Sequence, residues 1–358
     1  MAKAAVLTTV GGPQQVRDIE LRELAPHDVH IRIAAAGVCH SDLSLATGVL
    51  AQELPAVLGH EGSGTVIAVG SDVTQVAADD HVVLNWAPPC RVCWFCTSAQ
   101  PWLCENALAA AAVSHATLDG TELFPGLGTG AFAAETVVPA RAVIPINDDV
   151  PLEIAALLGC AVLTGVGAVT NSARVRTGES VLVIGLGGVG LSALQGARLA
   201  GATTIIAVDV TEDKAEIARA CGATEFLVAG DDLAKRVRRL TEGRGADAAI
   251  ECVGRAATIR QAWSATRRGG RAVVVGIGSN DDRAHFGALE IFHFARSLTG
   301  CVYGSADPEV EIPRLVAAWQ EGRLDLAALA TDRCELGGID EAFDRMRAGH
   351  GGRTLVIP

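Results

Sequence analysis

Two patterns of apolar and polar positions divide this chain of 358 residues. In residues 1 to about 160, short stretches alternate between apolar and polar side chains, as in VHIRI (29–33) and GTVIAV (64–69). Turns rich in Gly, Pro and Asp separate these stretches. Alternation with a period of two is typical of half-buried strands, so this part of the chain is predicted to be β-rich.

From about residue 175 the pattern changes to short, continuously apolar segments that alternate with helical segments. The apolar segments cover residues 181–184, 204–208, 248–252 and 272–275. Such alternation is typical of βαβ units, which place their strands in a parallel sheet covered by helices. Near the C-terminus, residues 336–347 are predicted to be helical and residues 353–357 to form a strand.

One long uncharged run, Ile154 to Ala173, approaches the length of a membrane span. It contains three Gly, two Thr, an Asn and a Ser, and no aromatic residues flank it. We therefore predict a buried helix and turn here. The N-terminal MAKAAVLTTVGGP lacks an apolar core long enough for a signal peptide, so we expect a cytoplasmic protein whose thiols stay reduced.

The composition indicates a globular protein, and the net charge argues against a partner with many phosphates. Hydrophobic residues make up 49% of the chain and charged residues 20%, which is typical of a folded domain. The 29 Lys and Arg are outnumbered by 41 Asp and Glu, for a formal net charge of −12. A phosphate backbone is repelled on average by such a chain, so we expect neither nucleic acid nor membrane as a partner.

Four cysteines lie close together in CRVCWFCTSAQPWLC, residues 90–104. The expected reducing compartment disfavours disulfides. A thioredoxin-like pair uses a single Cys-x-x-Cys, whereas two such pairs overlap here and share Cys93. Four thiolates in a short loop can close a tetrahedron around zinc and leave no position for a substrate. We predict a structural zinc, coupled to the folding of the loop, with the ligands Cys90, Cys93, Cys96 and Cys104.

A glycine-rich sequence, GLGGVG, follows the predicted strand 181–184 and opens a helical segment, 189–200. In this context the first glycine allows a tight turn, the second lets the backbone approach a pyrophosphate, and the third lets helix and strand pack closely. The helix N-terminus offers oriented N–H groups to the phosphates. The motif predicts a dinucleotide site formed by Gly185, Leu186, Gly187, Gly188, Val189 and Gly190.

The identity of the dinucleotide is predicted by Asp209, which ends the next strand, 204–208. Its carboxylate is placed to accept hydrogen bonds from the adenosine ribose hydroxyls and would repel a 2′-phosphate, which favours NAD over NADP. Lys214, five residues further on, either supports the same ribose edge or is a solvated helix lysine.

Three further residues, Cys39 in GVCHSD, His60 in GHEGSG and Cys160 in LLGCAVLTG, lie in turns flanked by glycine. Taken singly, a buried cysteine is usually a small hydrophobe, and a lone histidine is usually satisfied by hydrogen bonds. Two thiolates and an imidazole are nevertheless a catalytic zinc set that leaves the fourth position open. The residues by themselves leave both interpretations open.

With these motifs, the chain resembles the zinc-dependent alcohol dehydrogenases of the medium-chain dehydrogenase/reductase superfamily. The likeness is closest to the animal-type and glutathione-dependent formaldehyde dehydrogenase branch and covers essentially the whole chain. It is carried by GVCHSD, LPAVLGHEGSGTVIAVGSDV, the four-cysteine loop, LGTGAFAAETVV, GCAVLTGVGAV, VLVIGLGGVGLSALQGARLAGATTIIAVDV, VVVGIG and GGRTLVIP.

The resemblance implies a fold class and a domain organisation. We expect an α/β protein with a β-rich GroES-like catalytic domain, residues 1–162 with 303–358 returning to it. A Rossmann domain with a doubly wound parallel sheet is expected over 163–302. Relatives are dimers or tetramers joined partly through the edge strand of the cofactor domain, a role that suits the apolar segment from Phe292 to Tyr303.

The resemblance also implies roles for individual residues. Cys39, His60 and Cys160 match the catalytic zinc ligands, Glu61 the acidic residue beside the metal, and Asp42 the carboxylate that orients His60. The matching cofactor contacts, toward the pyrophosphate and the nicotinamide, are His40, Thr164, Val189, Val275, Gly276, Ile277 and Arg353.

The proton relay departs from the best-known members of the family. Ser41 matches the hydroxyl beside the reacting oxygen, but Ser44 stands where a histidine often ends the relay. A serine has no useful pKa near 7, so our hypothesis is that Ser44 passes the proton to water. An ordinary serine in a turn is the alternative.

The substrate is the least defined part of the prediction. Leu50, Trp86, Phe132 and Ile277 match positions that line an apolar channel for a primary or secondary alcohol or its aldehyde or ketone. The Ala-rich segment between Cys104 and Cys160 is shorter than in the animal-type enzymes. Within it, nothing basic apart from His115 obviously invites a glutathione carboxylate.

Two alternative functions stay open at this stage. One is a dehydrogenase whose substrate is a thiol adduct such as an S-hydroxymethyl thiol. The other is a non-catalytic protein that binds NAD and zinc, which predicts loss of catalytic ligands, yet all three ligands are present.

Overall fold

The computed structural model describes all 358 residues, which divide into two compact units. The first comprises Met1–Ala161, Asp307–Glu321 and Ala330–Pro358, and the second comprises Val162–Ala306 and Gly322–Leu329. The segment 322–329 had been expected with the catalytic domain. It packs with the second unit because Leu324 and Leu326 are buried and Gln195 exchanges two hydrogen bonds with the backbone of Asp325.

The chain forms eighteen strands. They are β1 (Ala2–Leu7), β2 (Gln14–Leu21), β3 (Asp28–Gly37), β4 (Ala56–Val57), β5 (Glu61–Val69), β6 (His81–Leu84), β7 (Ala116–Leu118), β8 (Thr121–Pro125), β9 (Glu135–Pro139), β10 (Val143–Pro145), β11 (Ser180–Ile184), β12 (Thr204–Asp209), β13 (Glu225–Val228), β14 (Ala246–Glu251), β15 (Thr266–Val274), β16 (Ser297–Gly300), β17 (Ala330–Cys334) and β18 (Arg353–Val356).

The chain also forms eleven α-helices. They are α1 (His40–Ala46), α2 (Trp94–Thr97), α3 (Leu152–Ala155), α4 (Ala161–Gly167), α5 (Gly188–Leu199), α6 (Ala215–Ala220), α7 (Leu233–Leu240), α8 (Ala256–Ala265), α9 (Ala288–Phe294), α10 (Pro308–Gln320) and α11 (Ile339–Arg347).

The first unit is β-rich, as the alternating pattern predicts. Strands β1, β2, β7, β8 and β4 close a barrel, and a second sheet has the order β10-β6-β5-β3-β18-β17, with β9 on β3. One continuous apolar core fills the space between these sheets.

The strand register of the first unit brings distant residues to one end of the second sheet. Gly37 at the end of β3 pairs with Glu61 at the start of β5, and it also pairs with Leu355 of β18. The turn that carries Cys39 therefore begins beside the point where the turn that carries His60 ends.

The second unit contains a six-stranded parallel sheet of order β13-β12-β11-β14-β15-β16. The central strands β11 and β12 are mostly apolar because helices cover both faces of such a sheet. In β11, for example, Val181 to Ile184 are all buried. The strand order runs outward from β11 in both directions, so the doubly wound topology predicted from the sequence is confirmed and its switch point lies between β11 and β14.

The uncharged run 154–173 forms short, mostly buried helices rather than one long helix. No single helix of the chain is long and apolar enough to cross a membrane. The helical segments Leu152–Gly159 and Ala161–Ser172 reach that length and apolar composition only when counted together, and the chain bends by 50° between them.

Candidate active site and metal centres

Cys39, His60 and Cys160 come together in the first unit. Cys39 precedes α1, His60 precedes β5, and Cys160 precedes α4. Their sulfur and imidazole nitrogen atoms all lie within 4.8 Å of one another, and all three residues are buried. His60 Nε2 lies 3.3 Å from Cys160 Sγ. Two sulfurs and a nitrogen at this spacing suit zinc and leave a fourth position for another ligand.

Asp42 fixes the orientation of His60. Its Oδ1 accepts hydrogen bonds from His60 Nδ1 at 2.9 Å and from the Gly59 N–H at 3.1 Å, and its Oδ2 accepts one from the Cys39 N–H at 3.2 Å. Since Nδ1 donates to this carboxylate, Nε2 is left as the lone-pair nitrogen that faces the sulfurs. The geometry matches the role expected for Asp42.

The two thiols share a hydrogen bond that affects them in opposite ways. It lowers the pKa of Cys39 well below its usual value and raises the pKa of Cys160 well above it, where burial adds to the increase. A divalent cation would replace the shared proton and let both residues bind as thiolates. For His60, burial lowers the pKa, but the charge and hydrogen bond of Asp42 outweigh burial and raise it.

Glu61 lies beside this cluster and is paired with Arg353. Glu61 Oε2 accepts a hydrogen bond from the Ala161 N–H at 3.0 Å, and its Oε1 lies 3.1 Å from Arg353 Nε. Burial raises the pKa of Glu61 to about 7, although the charge of Arg353 opposes the increase. A Cβ on Gly37 would lie 2.1 Å from Glu61 Oε1, so this pairing requires glycine at position 37.

Arg353, which is predicted to contact the pyrophosphate, lies beside Glu61 in the first unit. Its side chain is buried, and its Nη1 donates to the Val38 carbonyl at 2.7 Å. The contacts of Arg353 seen in the structure are thus to the Glu61 carboxylate and to the backbone that leads into Cys39. Strand β18, which begins at Arg353, pairs directly with β3, the strand that leads toward Cys39.

The four-cysteine loop forms a second cluster in the first unit. The sulfurs of Cys90, Cys93, Cys96 and Cys104 lie within 4.8 Å of one another, and none of the ten cysteines forms a disulfide. Several N–H groups point at these sulfurs. The Cys90 N–H donates to Cys104 Sγ at 3.2 Å, and the Asn106 side-chain amide donates to Cys90 Sγ at 3.5 Å. Such donors stabilise thiolates, and four converging thiolates suit a structural zinc.

The glycine-rich turn lies in the second unit, between β11 and α5. Gly185 has φ 89°, which a side chain would strain. A Cβ on Gly190 would lie 1.8 Å from the Gly185 carbonyl oxygen, so the helix packs directly on the strand end. A Cβ on Gly187 would meet no atom within 4 Å, and no acidic residue occupies the first turn of α5. The helix N-terminus is therefore open to an anionic ligand.

Asp209 lies at the end of β12, next to this turn. Its Oδ2 accepts a hydrogen bond from the Leu186 N–H at 2.7 Å. Lys214 Nζ lies 3.6 Å from the same carboxylate and donates to the Leu186 carbonyl at 3.2 Å. Lys214 is only 7% exposed, so it is not a solvated helix lysine. Both residues brace the turn at the place predicted for the adenosine ribose.

The predicted relay residues lie on α1. Ser41 and Ser44 are three residues apart and so share a helical face, and Ser41 Oγ lies 3.8 Å from Cys39 Sγ. His40 is the exposed first residue of the same helix.

Most of the other predicted cofactor contacts lie in the second unit. Thr164 is in α4, Val189 is in α5, and residues 275–277 follow β15. The N–H groups of Val275 and Gly276 both donate to the Glu251 carbonyl.

The predicted pocket residues fall into two groups. The ring of Trp86 packs edge-on against His60, with centroids 6.1 Å apart, and Leu50 is partly buried near the same core. Ile277 is 45% exposed in the second unit. Phe132, by contrast, is fully buried, and its ring would lie 2.6 Å from a Cβ on Gly59. In this structure its ring fills the core behind the Gly59 turn.

His115 does not offer a positive charge to a substrate. It is 1% exposed, and its Nδ1 donates to the Leu123 carbonyl at 3.2 Å. Burial lowers its pKa to about 4, so the imidazole is neutral near pH 7. A glutathione carboxylate therefore finds no partner at this position.

Three groups with structural importance at these sites were not recognised from the sequence. Asn106 donates to two cysteine sulfurs, Arg91 forms ion pairs outside the four-cysteine loop, and Glu251 is fully buried at the end of β14. Only Glu251 carried a usable signal, since it is an acidic residue that ends an apolar strand, as Asp209 is.

Comparison with known proteins identifies the family of this chain. Residues 25–148 match the family described as alcohol dehydrogenase GroES-like domain, and residues 188–320 match the family described as zinc-binding dehydrogenase. The chain is 32% identical to an S-(hydroxymethyl)glutathione dehydrogenase of Paracoccus denitrificans over 99% of both chains. It is 34% identical to an NDMA-dependent alcohol dehydrogenase of Amycolatopsis methanolica over 99% of this chain and 98% of the relative.

A solved structure supports the same assignment. The benzyl alcohol dehydrogenase of Acinetobacter calcoaceticus is 29% identical and superposes with a TM-score of 0.92 over 99% of each chain. The GroES-like and Rossmann parts of the predicted fold are thereby confirmed. The protein is an oxidoreductase, and it belongs to the zinc-dependent alcohol dehydrogenases of the medium-chain dehydrogenase/reductase superfamily.

Proposed function

We propose that this protein is an NAD-dependent alcohol dehydrogenase that interconverts a primary or secondary alcohol with its aldehyde or ketone. The observation that carries the proposal is the convergence of Cys39, His60 and Cys160 within 4.8 Å in one unit of a chain whose other unit has an open glycine-rich turn. Two zinc ions per chain are proposed, the second in the four-cysteine loop.

Each residue of the first cluster has a distinct task in this proposal. Cys39, His60 and Cys160 hold the catalytic zinc, and Asp42 keeps His60 in the binding tautomer. When bound, the zinc supplies Lewis acidity, which lowers the pKa of an alcohol hydroxyl and polarises a carbonyl. Glu61 and Arg353 form a buried ion pair beside these ligands.

The proton released from the alcohol needs an acceptor chain. Ser41, whose Oγ lies 3.8 Å from Cys39 Sγ, accepts it and releases its own hydroxyl proton toward Ser44. Ser44, on the same helical face, passes a proton on to water. Neither serine stores the proton, because a serine hydroxyl does not ionise near neutral pH.

The second unit would hold the cofactor. NAD supplies the hydride acceptor, and residues 185–190 with the start of α5 face its pyrophosphate. Asp209 accepts hydrogen bonds from the ribose and repels a 2′-phosphate, which supports NAD over NADP. His40, Thr164, Val275 and Ile277 remain proposed contacts of the cofactor.

The substrate proposed is an uncharged alcohol or aldehyde of apolar character. Trp86 and Leu50 offer apolar surface in the unit that carries the zinc ligands, and Ile277 offers it in the other. The name of the Acinetobacter relative indicates that an aromatic alcohol is accepted on this fold.

A thiol adduct is the second candidate substrate, as the names of the formaldehyde-type relatives indicate. The burial and neutrality of His115 argue against a glutathione adduct, because they remove the cation considered for its carboxylate. A non-catalytic role is disfavoured because the whole ligand set is retained. We also propose a homo-oligomer in the cytoplasm, where ten unpaired cysteines stay reduced.

The test is an assay of the purified protein with NAD or NADP and a panel of primary, aromatic and secondary alcohols, each with and without glutathione. We expect NAD reduction by an apolar alcohol without thiol, and two zinc ions per chain by metal analysis. Cys39→Ala should lose one zinc and the activity, whereas Cys221→Ala, a buried cysteine of the other unit, should keep both. Absence of alcohol-dependent NAD reduction in a chain loaded with two zinc ions would refute the proposal.

A further inference from the structure

Glu251, the last residue of β14, is a fully buried carboxylate with no cationic partner. Its Oε1 accepts hydrogen bonds from the Val253 N–H at 2.9 Å, the Gly254 N–H at 2.9 Å and the Thr258 hydroxyl at 2.7 Å. Its Oε2 lies 3.1 Å from the same Gly254 nitrogen. Every one of these donors belongs to the turn from β14 into α8 or to the first turn of that helix.

A buried carboxylate normally requires a positively charged neighbour, because it loses its hydration. Burial accordingly raises the pKa of Glu251, while the three donors oppose the increase. The carboxylate also lies at the N-terminal end of α8, where the helix dipole favours negative charge. The turn and the helix thus take the place of a cation, and the carboxylate in return fixes their conformation.

This turn is located at the switch point of the parallel sheet. Strands β11 and β14 are neighbours there, and ligands of such sheets bind outside the carboxyl ends of the strands at the switch point. The Cys252 N–H donates to the Ile184 carbonyl at 2.8 Å. A Cβ on Gly185 would lie 2.6 Å from Val253 Cγ2. The turn 252–254 is therefore packed against the glycine-rich turn.

The same residue also holds a second loop. The Glu251 carbonyl accepts hydrogen bonds from the N–H groups of Val275 at 2.8 Å and Gly276 at 3.1 Å. A Cβ on Gly276 would lie 2.1 Å from the Gly254 nitrogen, and Gly254 itself has φ 83°. The loops after β14 and β15 therefore contact each other backbone to backbone. A change in the shape of the first must shift the second.

We infer that Glu251 is a positioning residue of the cofactor site, a role that rests on the proposed function of the second unit as a dinucleotide-binding domain. Its carboxylate holds turn 252–254 against the glycine-rich turn and, through Gly254, holds loop 275–278. The residue acts through these two loops and not by contact with the cofactor.

Two variants test this inference at different strengths. Glu251→Ala leaves two backbone N–H groups and a hydroxyl buried without an acceptor, so the turn should rearrange. We expect the affinity for NAD to fall about 10- to 100-fold. Glu251→Gln keeps one oxygen for these donors and should lose about threefold to tenfold. Affinity for NAD and NADH is measured by calorimetry. In turnover assays the KM for NAD should rise while the KM for the alcohol stays the same.

A matched control lies at the other end of the same strand. Asp247 accepts hydrogen bonds from Ser180 and Arg267 at the amino end of β14, away from the side where the sheet binds ligands. Asp247→Asn should lower the melting temperature and leave NAD affinity within twofold of the wild type. Hydrogen exchange of the cofactor-free protein should show faster exchange at residues 252–258 and 275–278 in the Glu251 variants only.

The outcomes separate the inference from the function on which it rests. Wild-type protein that binds no NAD would overturn both. Wild-type protein that binds NAD, with both Glu251 variants within twofold of it, would overturn the inference and leave the proposed function intact. An affinity loss in Asp247→Asn as large as in Glu251→Gln would also overturn it, since the effect would then follow from general instability.

Discussion

Ser44 is the position at which one substitution can test the proposed proton relay. It shares a helical face with Ser41 and is the outer end of the proposed relay. Replacing it by histidine would add a group with an ordinary pKa near 6.5 at the outer end of the relay.

We therefore expect Ser44→His to change the profile of kcat against pH, with a new ionisation between about pH 6 and 7. The measurement is steady-state turnover from pH 5.5 to 9 in buffers of constant ionic strength. Ser71→His, in an exposed turn after β5, serves as the control. A Ser44→His profile that overlays the wild type would show that Ser44 is an ordinary helix serine.

The burial of His115 predicts how the stability of the folded protein changes in acid. Its pKa is about 4 in the folded protein because it is buried, against an ordinary value of 6.5. The imidazole is neutral in both states above pH 6.5, so its full contribution to stability is present there. Below pH 6.5 the unfolded chain takes up a proton that the folded protein does not, and stability falls until pH 4 is reached.

The expected loss from this residue is about 2 kcal/mol between pH 7 and pH 5. His115→Asn keeps a donor near the Leu123 carbonyl and removes the titration, so its free energy of unfolding should fall less over that range. Denaturant unfolding of zinc-loaded protein at both pH values measures the difference. His27→Asn, at an exposed site, should retain the wild-type slope. An equal slope for His115→Asn would contradict the assignment of this proton uptake to His115.

At the scale of elements, the four-cysteine loop is tied to helix α10 within the first unit. Arg91, between two of the cysteines, has φ 64° and extends away from the loop. Its guanidinium lies 2.5 and 2.9 Å from the two carboxylate oxygens of Asp307 and 2.7 Å from Glu309. Asp307 is the N-cap of α10 and the first residue after the chain leaves the second unit. Folding of the loop around a metal therefore fixes the start of this helix.

Thermodynamic linkage requires that the ion pair of Arg91 with α10 in turn stabilises the metal-bound loop. Removing this partly exposed but bidentate pair should cost about 1 kcal/mol, which is roughly a fivefold faster release of one zinc per chain to a chelator. Arg91→Gln should give this acceleration, Asp307→Asn a smaller one because Glu309 still pairs with Arg91, and the double variant no more than Arg91→Gln. Arg333→Gln breaks a comparable exposed pair with Glu153 and is the control. Release of both zinc ions at the wild-type rate in Arg91→Gln would rule out the linkage.

Elements differ in how well the sequence predicts them, and the reason is the range of the interactions that form them. Strands β11 and β12 were predicted to within a residue because their apolar runs and the glycine-rich turn are local signals. The four-cysteine cluster is equally local. The pairing of Arg353 with Glu61 was missed because it depends on the register of β18 on β3, which joins residues more than 300 positions apart.

At the scale of the whole molecule, the three proposed ligands of the catalytic zinc show the limit of prediction from residues alone. Cys39, His60 and Cys160 are spread over 122 positions, and each one singly suited a buried packing role. Only the resemblance joined them before the structure placed their side chains within 4.8 Å. The non-local sheet register of the first unit, and not any sequence motif, produces the site.

The parallel sheet also predicts how copies of the chain associate. Strand β16 is an edge strand paired only with β15, and all four of its residues are exposed. Next to it, Leu289 and Phe292 of α9 are 75% and 80% exposed. An exposed edge flanked by apolar side chains favours pairing with a second edge, which completes the hydrogen bonds of both. We expect β16 to pair with β16 of a second copy, in agreement with the homo-oligomer proposed above.

This association is tested by placing charges on the edge. Leu298→Lys combined with Phe292→Lys puts like charges opposite each other across a two-fold axis and should reduce the molar mass to that of a monomer, 36.8 kDa. Light scattering behind a sizing column measures the mass over a range of protein concentrations. Val10→Lys, at a 56% exposed site of the other unit, should leave the mass unchanged. Because a lone edge strand gains hydrogen bonds only by pairing, an oligomer that survives both lysines must be held by a different surface.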